Sequence, residues 1–356
     1  MKKSSPVLFC LLADVALFSS CEHKELCYNH PHTAEVRIDA DWSKFTPYEN
    51  PTGMTLMLYP QYSGASVISY LTNTTSHAIL SLPADRYHVL VFNQSLSEFG
   101  TISFQGLDKR ETAEVVANTQ TSRWYAVRNE SEKVATSPEW LGVANFSDAE
   151  VSQAMIDAGE EAMMQAATRN TPLAIASLTP VNVISTVKVR LRVKGIQNLR
   201  SARASLNGMA EGYHLTTMQP TKRKATYLME EWTMTRDKTN PTMGVIETSF
   251  TCFGLPDGHQ STAAENLLSL SLLLVDNKTI KDYSFNVGDR FVVGDASSGN
   301  ISEINPEQEA GVYLDIMLDF DTDITLPDVP PEGGSGGGFD AEVEDWGEEE
   351  EYELNI

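Results

Sequence analysis

The chain has 356 residues, 41% of them hydrophobic, with 49 acidic against 26 basic side chains and a formal net charge of −23. That excess of acid excludes nucleic acid as a partner, because binding a phosphate backbone requires basic patches. It also argues against electrostatic docking on an anionic membrane.

The first segment carries an address. Lys2 and Lys3 precede a short apolar run, Val7 to Phe18, interrupted by Asp14, and Leu17-Phe18-Ser19-Ser20 leads into Cys21. The run is too short to span a bilayer as a helix. A basic start, a brief apolar core and small residues before a cysteine make the layout of a bacterial lipoprotein signal. Residues 1–20 are expected to leave, with acyl chains of the palmitate type carried on Cys21. An ordinary secretory signal in which Cys21 is incidental is the alternative. The remaining 336 residues are long enough for two domains.

Of the four cysteines, Cys10 leaves with the signal and Cys21 carries lipid, so Cys27 and Cys252 remain. In an oxidising envelope they either pair or stay as two buried thiols. His23, Cys27, His30 and His32 could ligate zinc or copper, but no second half-site accompanies them, and a polar stalk is the simpler reading. Neither a metal nor a cofactor is expected.

The body reads as strands. Ala34 to Ile38, Met54 to Tyr59 and Ile79 to Leu82 are short β-type runs, and Pro83-Ala84-Asp85 turns the chain into Tyr87-His88-Val89-Leu90-Val91-Phe92. Alternation places Tyr87, Val89 and Val91 on one face. Thr101 to Phe104 and Arg123 to Val127 add two further strands. Ser147-Asp148-Ala149-Glu150 has the form of a capping box and predicts a helix over 147–168, with Met155, Ala158, Ala162 and Ala166 on one face.

After the proline-marked stretch Thr171-Pro172 to Thr179-Pro180, alternation becomes stronger. In Val183 to Lys194 the residues Val187, Val189, Leu191 and Val193 face inward, while Lys188, Arg190, Arg192 and Lys194 face water. Such a basic row discourages edge pairing. Leu268, Leu270, Leu272 and Leu274 alternate before the turn Asp276-Asn277-Lys278. Val312, Leu314, Ile316, Leu318 and Phe320 form a last stripe. These patterns predict a mainly β protein of antiparallel sandwiches, with domains at 21–175 and 176–326. A Pro/Gly linker follows at 327–338 and an acidic tail at 339–356. From Asp328 onward there are 11 acidic residues and no Lys or Arg. In the tail Tyr352, Leu354 and Ile356 share one strand-like face, a candidate partner-binding set.

No G-x-S-x-G, H-E-x-x-H, phosphate loop or dinucleotide fingerprint occurs, and no catalytic residues are assigned. Asp315, Asp319, Asp321 and Asp323 could bind calcium, although the first three simply occupy the outward side of a strand. Trp42, Trp124, Trp140, Trp232 and Trp346 are core fillers first and sugar-stacking platforms second.

The run Cys21-Glu22-His23-Lys24-Glu25-Leu26-Cys27-Tyr28-Asn29-His30-Pro31-His32-Thr33 resembles the mature start of the Bacteroides-group fimbrillin-like lipoproteins, the fimbrium anchor or accessory subunit type. Trp42, Pro51-Thr52-Gly53-Met54, Leu58-Tyr59-Pro60, Leu82-Pro83 through Asn93 and Gly338-Phe339-Asp340 to Trp346 extend the resemblance over most of the chain. It implies two transthyretin-like antiparallel β-sandwich domains in series, with one helix inserted. It further implies a non-enzymatic, surface-exposed lipoprotein of the outer membrane that partners pilus subunits in anchoring, assembly or adhesion. The competing expectation is an outer-membrane lipoprotein that captures glycans.

Overall fold

The computed structural model describes residues 32–45, 51–164, 171–294, 301–303, 315–320 and 324–332. The first strands in chain order are β1 (Ala34–Ala40), β2 (Met54–Pro60), β3 (Ile68–Thr72), β4 (His77–Leu82) and β5 (Asp85–Asn93). Next come β6 (Ile102–Gln105), β7 (Glu114–Ala117), β8 (Val134–Ala135), β9 (Gly142–Val151) and the helix α1 (Gln153–Met164). Then follow β10 (Leu173–Leu178), β11 (Val181–Asn182), β12 (Ser185–Lys194), β13 (Leu199–Ala210), β14 (Gly212–His214), β15 (Gln219–Pro220) and β16 (Lys224–Met229). The last are β17 (Thr233–Arg236), β18 (Met243–Cys252), β19 (Leu267–Leu274), β20 (Ile280–Asn286), β21 (Val292–Gly294), β22 (Ile301–Glu303) and β23 (Asp315–Phe320). The described chain is mainly β, with most neighbouring strands antiparallel.

The strands form sheets in the orders β10-β1-β4, β11-β9-β5-β2-β3, β17-β18-β12-β23-β21-β22, β20-β19-β13-β16-β8 and β15-β14-β7-β6. In the second of these, the central strands β2 and β5 are buried on both faces. Met54, Leu56, Leu58, Tyr87, Val89 and Val91 meet Val36, Ile38, Leu80 and Leu82 in one core. The intervening residues Met57, Tyr59, Leu90 and Phe92 join a second, continuous core that extends to Leu206, Leu270, Leu272 and Leu274. This explains why Met54 to Tyr59 and Tyr87 to Phe92 are mostly apolar: a strand buried on both faces loses the polar half of its alternation.

The second core is built by the alternation expected. Val187, Val189, Leu191 and Val193 are each at most 1% exposed, as are Leu268, Leu270, Leu272 and Leu274. The turn at Asp276 closes the β19–β20 hairpin, with Asp276 Oδ1 accepting from the Lys278 and Thr279 amides at 3.1 and 2.9 Å. The register sets Ile316 and Leu318 of β23 beside Val187 and Val189. Gly195 (φ +81°) lets the last described stretch pass close by, since a Cβ there would lie 2.5 Å from the Leu326 carbonyl oxygen.

Four expectations are corrected. Ser147 to Glu150 lie in β9, not in a helix cap, and α1 starts at Gln153. Ala149 and Val151 alternate inward, while Asp148 and Glu150 each reach Arg86 of β5 at 3.5 Å, so cross-strand pairing accounts for the charges. On α1 the buried residue is Ile156, with Met155 partly buried and Ala158 exposed. Arg123 to Val127 is irregular. The basic row of β12 lies on an interior strand, antiparallel to β18 and parallel to β23. It is tolerated there because Arg190 faces Glu247, 2.8 Å away.

The proline-marked boundary also shifts. β10 completes the sheet of β1, and β11 pairs with β9, so the chain leaves the first core only after Asn182. Conversely, β7 of the β6–β7 hairpin pairs with β14, and β8 pairs with β16. Pairing between distant segments, invisible to local alternation, moves residues 102–135 into the second core.

Candidate functional site

Cys21, expected to bear lipid, the half-cystine candidate Cys27 and the tail residues Tyr352, Leu354 and Ile356 lie outside the described residues, as do His23, His30 and Trp346. Cys252 closes β18 as a fully buried free thiol. Its sulfur accepts from the Gly254 amide at 3.3 Å, and burial pushes the thiol up to about 12, so it is inert at neutral pH. Among the described residues no three His, Cys, Asp or Glu side chains are grouped to hold a metal, and no helix is long and apolar enough to cross a membrane.

The tryptophans divide by role. Trp42 is buried and donates from Nε1 to the Thr75 carbonyl at 2.9 Å. Trp140 packs against both cores. Trp124 donates to the Glu230 carboxylate and lies under Arg203, whose Cζ is 5.9 Å from the ring centre. Trp232 stands beside an open groove of about 490 Å³ that is also lined by Lys188, Arg190, Glu247, Thr248 and Ser249. The outward side chains of β12 and β18 supply the groove's charge, because the register sets Lys188 opposite Ser249 and Arg190 opposite Glu247.

Beside this groove runs the outer strand β17, all four of whose residues are exposed. Other outer strands are β3, where Leu71 is 53% exposed, and β20, where Ile280 is 58% exposed. An outer strand presents unpaired backbone donors and acceptors to any extended chain that matches its register. These edges are the part of the described surface best suited to subunit–subunit contact. Sequence reasoning missed them because a strand's place in its sheet depends on distant partners.

The sheets, the outer strands and the charged groove define a mainly β protein of several, mostly antiparallel sheets. The chain belongs to the DUF5119 family, a domain of unknown function, whose model matches residues 20–230. Over its length it is 22% identical to a Bacteroides ovatus protein named as a candidate fimbrium anchoring subunit, Fim4B, with 97% of each chain covered. A solved candidate adhesin from Bacteroides ovatus shares the fold at a TM-score of 0.54 and 15% identity, covering 87% of this chain and 99% of that one. The fimbrial anchor protein Mfa2 from Porphyromonas gingivalis is a looser likeness, with a TM-score of 0.42 and 10% identity over 76% of this chain and 95% of that one.

Proposed function

We propose that this protein is a cell-surface lipoprotein that anchors or assists a fimbrillin-type pilus. The observation that carries the reading is the match to Fim4B, which covers 97% of both chains and therefore reflects a shared organisation and not one shared module. Two transthyretin-like sandwiches form the rigid body. Lipid on Cys21 holds its base in the outer membrane, with the body facing outward. The tail segment Tyr352, Leu354 and Ile356 adds as a strand to a neighbouring pilus subunit, burying these three residues and leaving Glu351, Glu353 and Asn355 in water.

Two variants test this. Cys21→Ala is expected to lose labelling by a palmitate analogue and to appear in the soluble fraction. Unchanged membrane fractionation would refute the anchor. Deletion of 339–356 is expected to leave a stable, membrane-bound protein that no longer co-purifies with pilus subunits. Lowered stability of the isolated protein would instead mean that the tail folds back on its own sheet edge, and no change in either property would make it an acidic spacer. Glycan capture is the competing function, and the groove beside Trp232 favours it.

A further inference from the structure

The charged groove beside β17 has one aromatic wall, and that wall is held in place. Trp232, just ahead of β17, is half-buried: it packs against the second core and also lines the groove. Its Nε1 donates to the Met229 carbonyl at 3.2 Å. The neighbouring Glu231 carbonyl accepts from Thr248 Oγ1 of β18 at 2.6 Å. Both bonds fix the indole before a ligand arrives, so little ordering cost falls on binding. The ring's one polar atom is already bonded, so the wall offers a ligand the carbon surface of the indole.

The polar groups around it can be reached from water. Arg190 Nε lies 2.8 Å from Glu247 Oε1, and 45% and 46% of the two side chains stay exposed. The pair sets guanidinium donors beside carboxylate acceptors and holds both in the groove. Ser249 and Thr233 add exposed hydroxyls. The floor strand β12 has ladder partners on both sides, β18 along its whole length and β23 from Thr186 to Leu191. It therefore gives an incoming peptide no free backbone edge to pair with, and recognition falls to side chains. Among the described lining residues Lys188 and Arg190 stand against Glu231 and Glu247, so the charge is balanced. A chain of net charge −23 does not favour an anion there.

We infer that this groove binds a neutral oligosaccharide, one sugar ring lying against Trp232 and its hydroxyl groups, or those of the next unit, bonded by Arg190, Glu247 and Ser249. A pyranose carries C–H bonds on its face and hydroxyls around its rim. The C–H bonds suit the electron-rich face of an indole. The hydroxyls, each both donor and acceptor, suit a guanidinium beside a carboxylate. The groove is open, so it admits the inside of a glycan chain as well as its end, and about 490 Å³ is an ordinary size for a ligand site. This site gives glycan capture a place and a ligand class. It rests on that competing function and is independent of pilus anchoring, which is read by co-purification.

Saturation-transfer NMR titrations of the full chain with maltotriose, cellotriose, mannotriose and tri-N-acetylchitotriose test it, with trigalacturonic acid as the anionic comparison. At least one neutral trisaccharide is expected to bind, and more tightly than the acid. Trp232→Ala is expected to weaken binding about tenfold or more, and Trp232→Phe to recover part of the loss. Arg190→Met is expected to weaken it about tenfold with Tm unchanged, because a half-exposed ion pair adds little to stability. Should Trp232→Ala fail to fold, Arg190→Met carries the test. Trp124→Ala, on a different sheet, is expected to leave binding unchanged. Binding that Trp232→Ala and Arg190→Met both leave intact would overturn the groove as the site while keeping glycan capture. Tighter binding of the acid would overturn the ligand class. Failure of all four neutral trisaccharides would overturn the proposal, and a blank glycan array would then remove glycan capture as well.

Discussion

His88 lies inside an apolar strand, and nothing in its sequence neighbours marks it as special. Its ring is held at about 4 by burial, against an ordinary value of 6.5. A histidine depressed in the folded state costs nothing above pH 6.5, where both states are neutral. Below that the unfolded chain takes up the proton first, so stability falls until the folded ring also protonates near pH 4. The full loss is about 3 kcal/mol. Urea unfolding of wild type and His88→Leu between pH 7.5 and pH 4.5 measures it: the wild type is expected to lose more stability than the variant, and equal losses would place the acid sensitivity elsewhere. Around His88, only the hydrophobic run was legible beforehand. Its neighbour Tyr59 comes alongside from a different strand, and that neighbour is set by register.

At the level of elements, legibility followed the environment of each strand. β12 and β19 alternate cleanly and were readable residue by residue, because one face is buried while the other is mostly charged in β12 and half serine in β19. Leu272 is fully buried, and Leu272→Ala is expected to cost about 2–5 kcal/mol, read from the shift in the denaturation midpoint. A cost under about 1 kcal/mol would mean that the core collapses readily around the gap. β9 shows the opposite outcome. Its Ser147-to-Glu150 pattern is a helix-start signature, yet Arg86 on β5 takes both acidic side chains across the strand pair. Tertiary pairing outweighed a local signal worth on the order of 1 kcal/mol. The interior place of β12 was likewise hidden, since β18 and β23 approach it from far along the chain.

For the whole molecule the doubly buried sheet governs behaviour. Met57, Tyr59, Leu90 and Phe92 belong to the second core although their strands also wall the first. A fragment ending at Asn182 would leave that apolar face bare. It is expected to aggregate when expressed alone, whereas the full chain melts in one transition by calorimetry. Two well-separated transitions, or a soluble folded fragment, would show that the halves are energetically independent.

The same arrangement has a mechanical side. β1 is flanked by β10 and β4, and β23 by β12 and β21, so the first and the last of the described strands are both interior. In the role proposed above, the membrane holds one end while a filament drags on the other. The pull then runs into strands gripped on both sides, where many backbone bonds must slide together and cannot peel one by one. Load passes from one core to the other through shared walls and not through a hinge, so the body is expected to transmit tension as a stiff coupling.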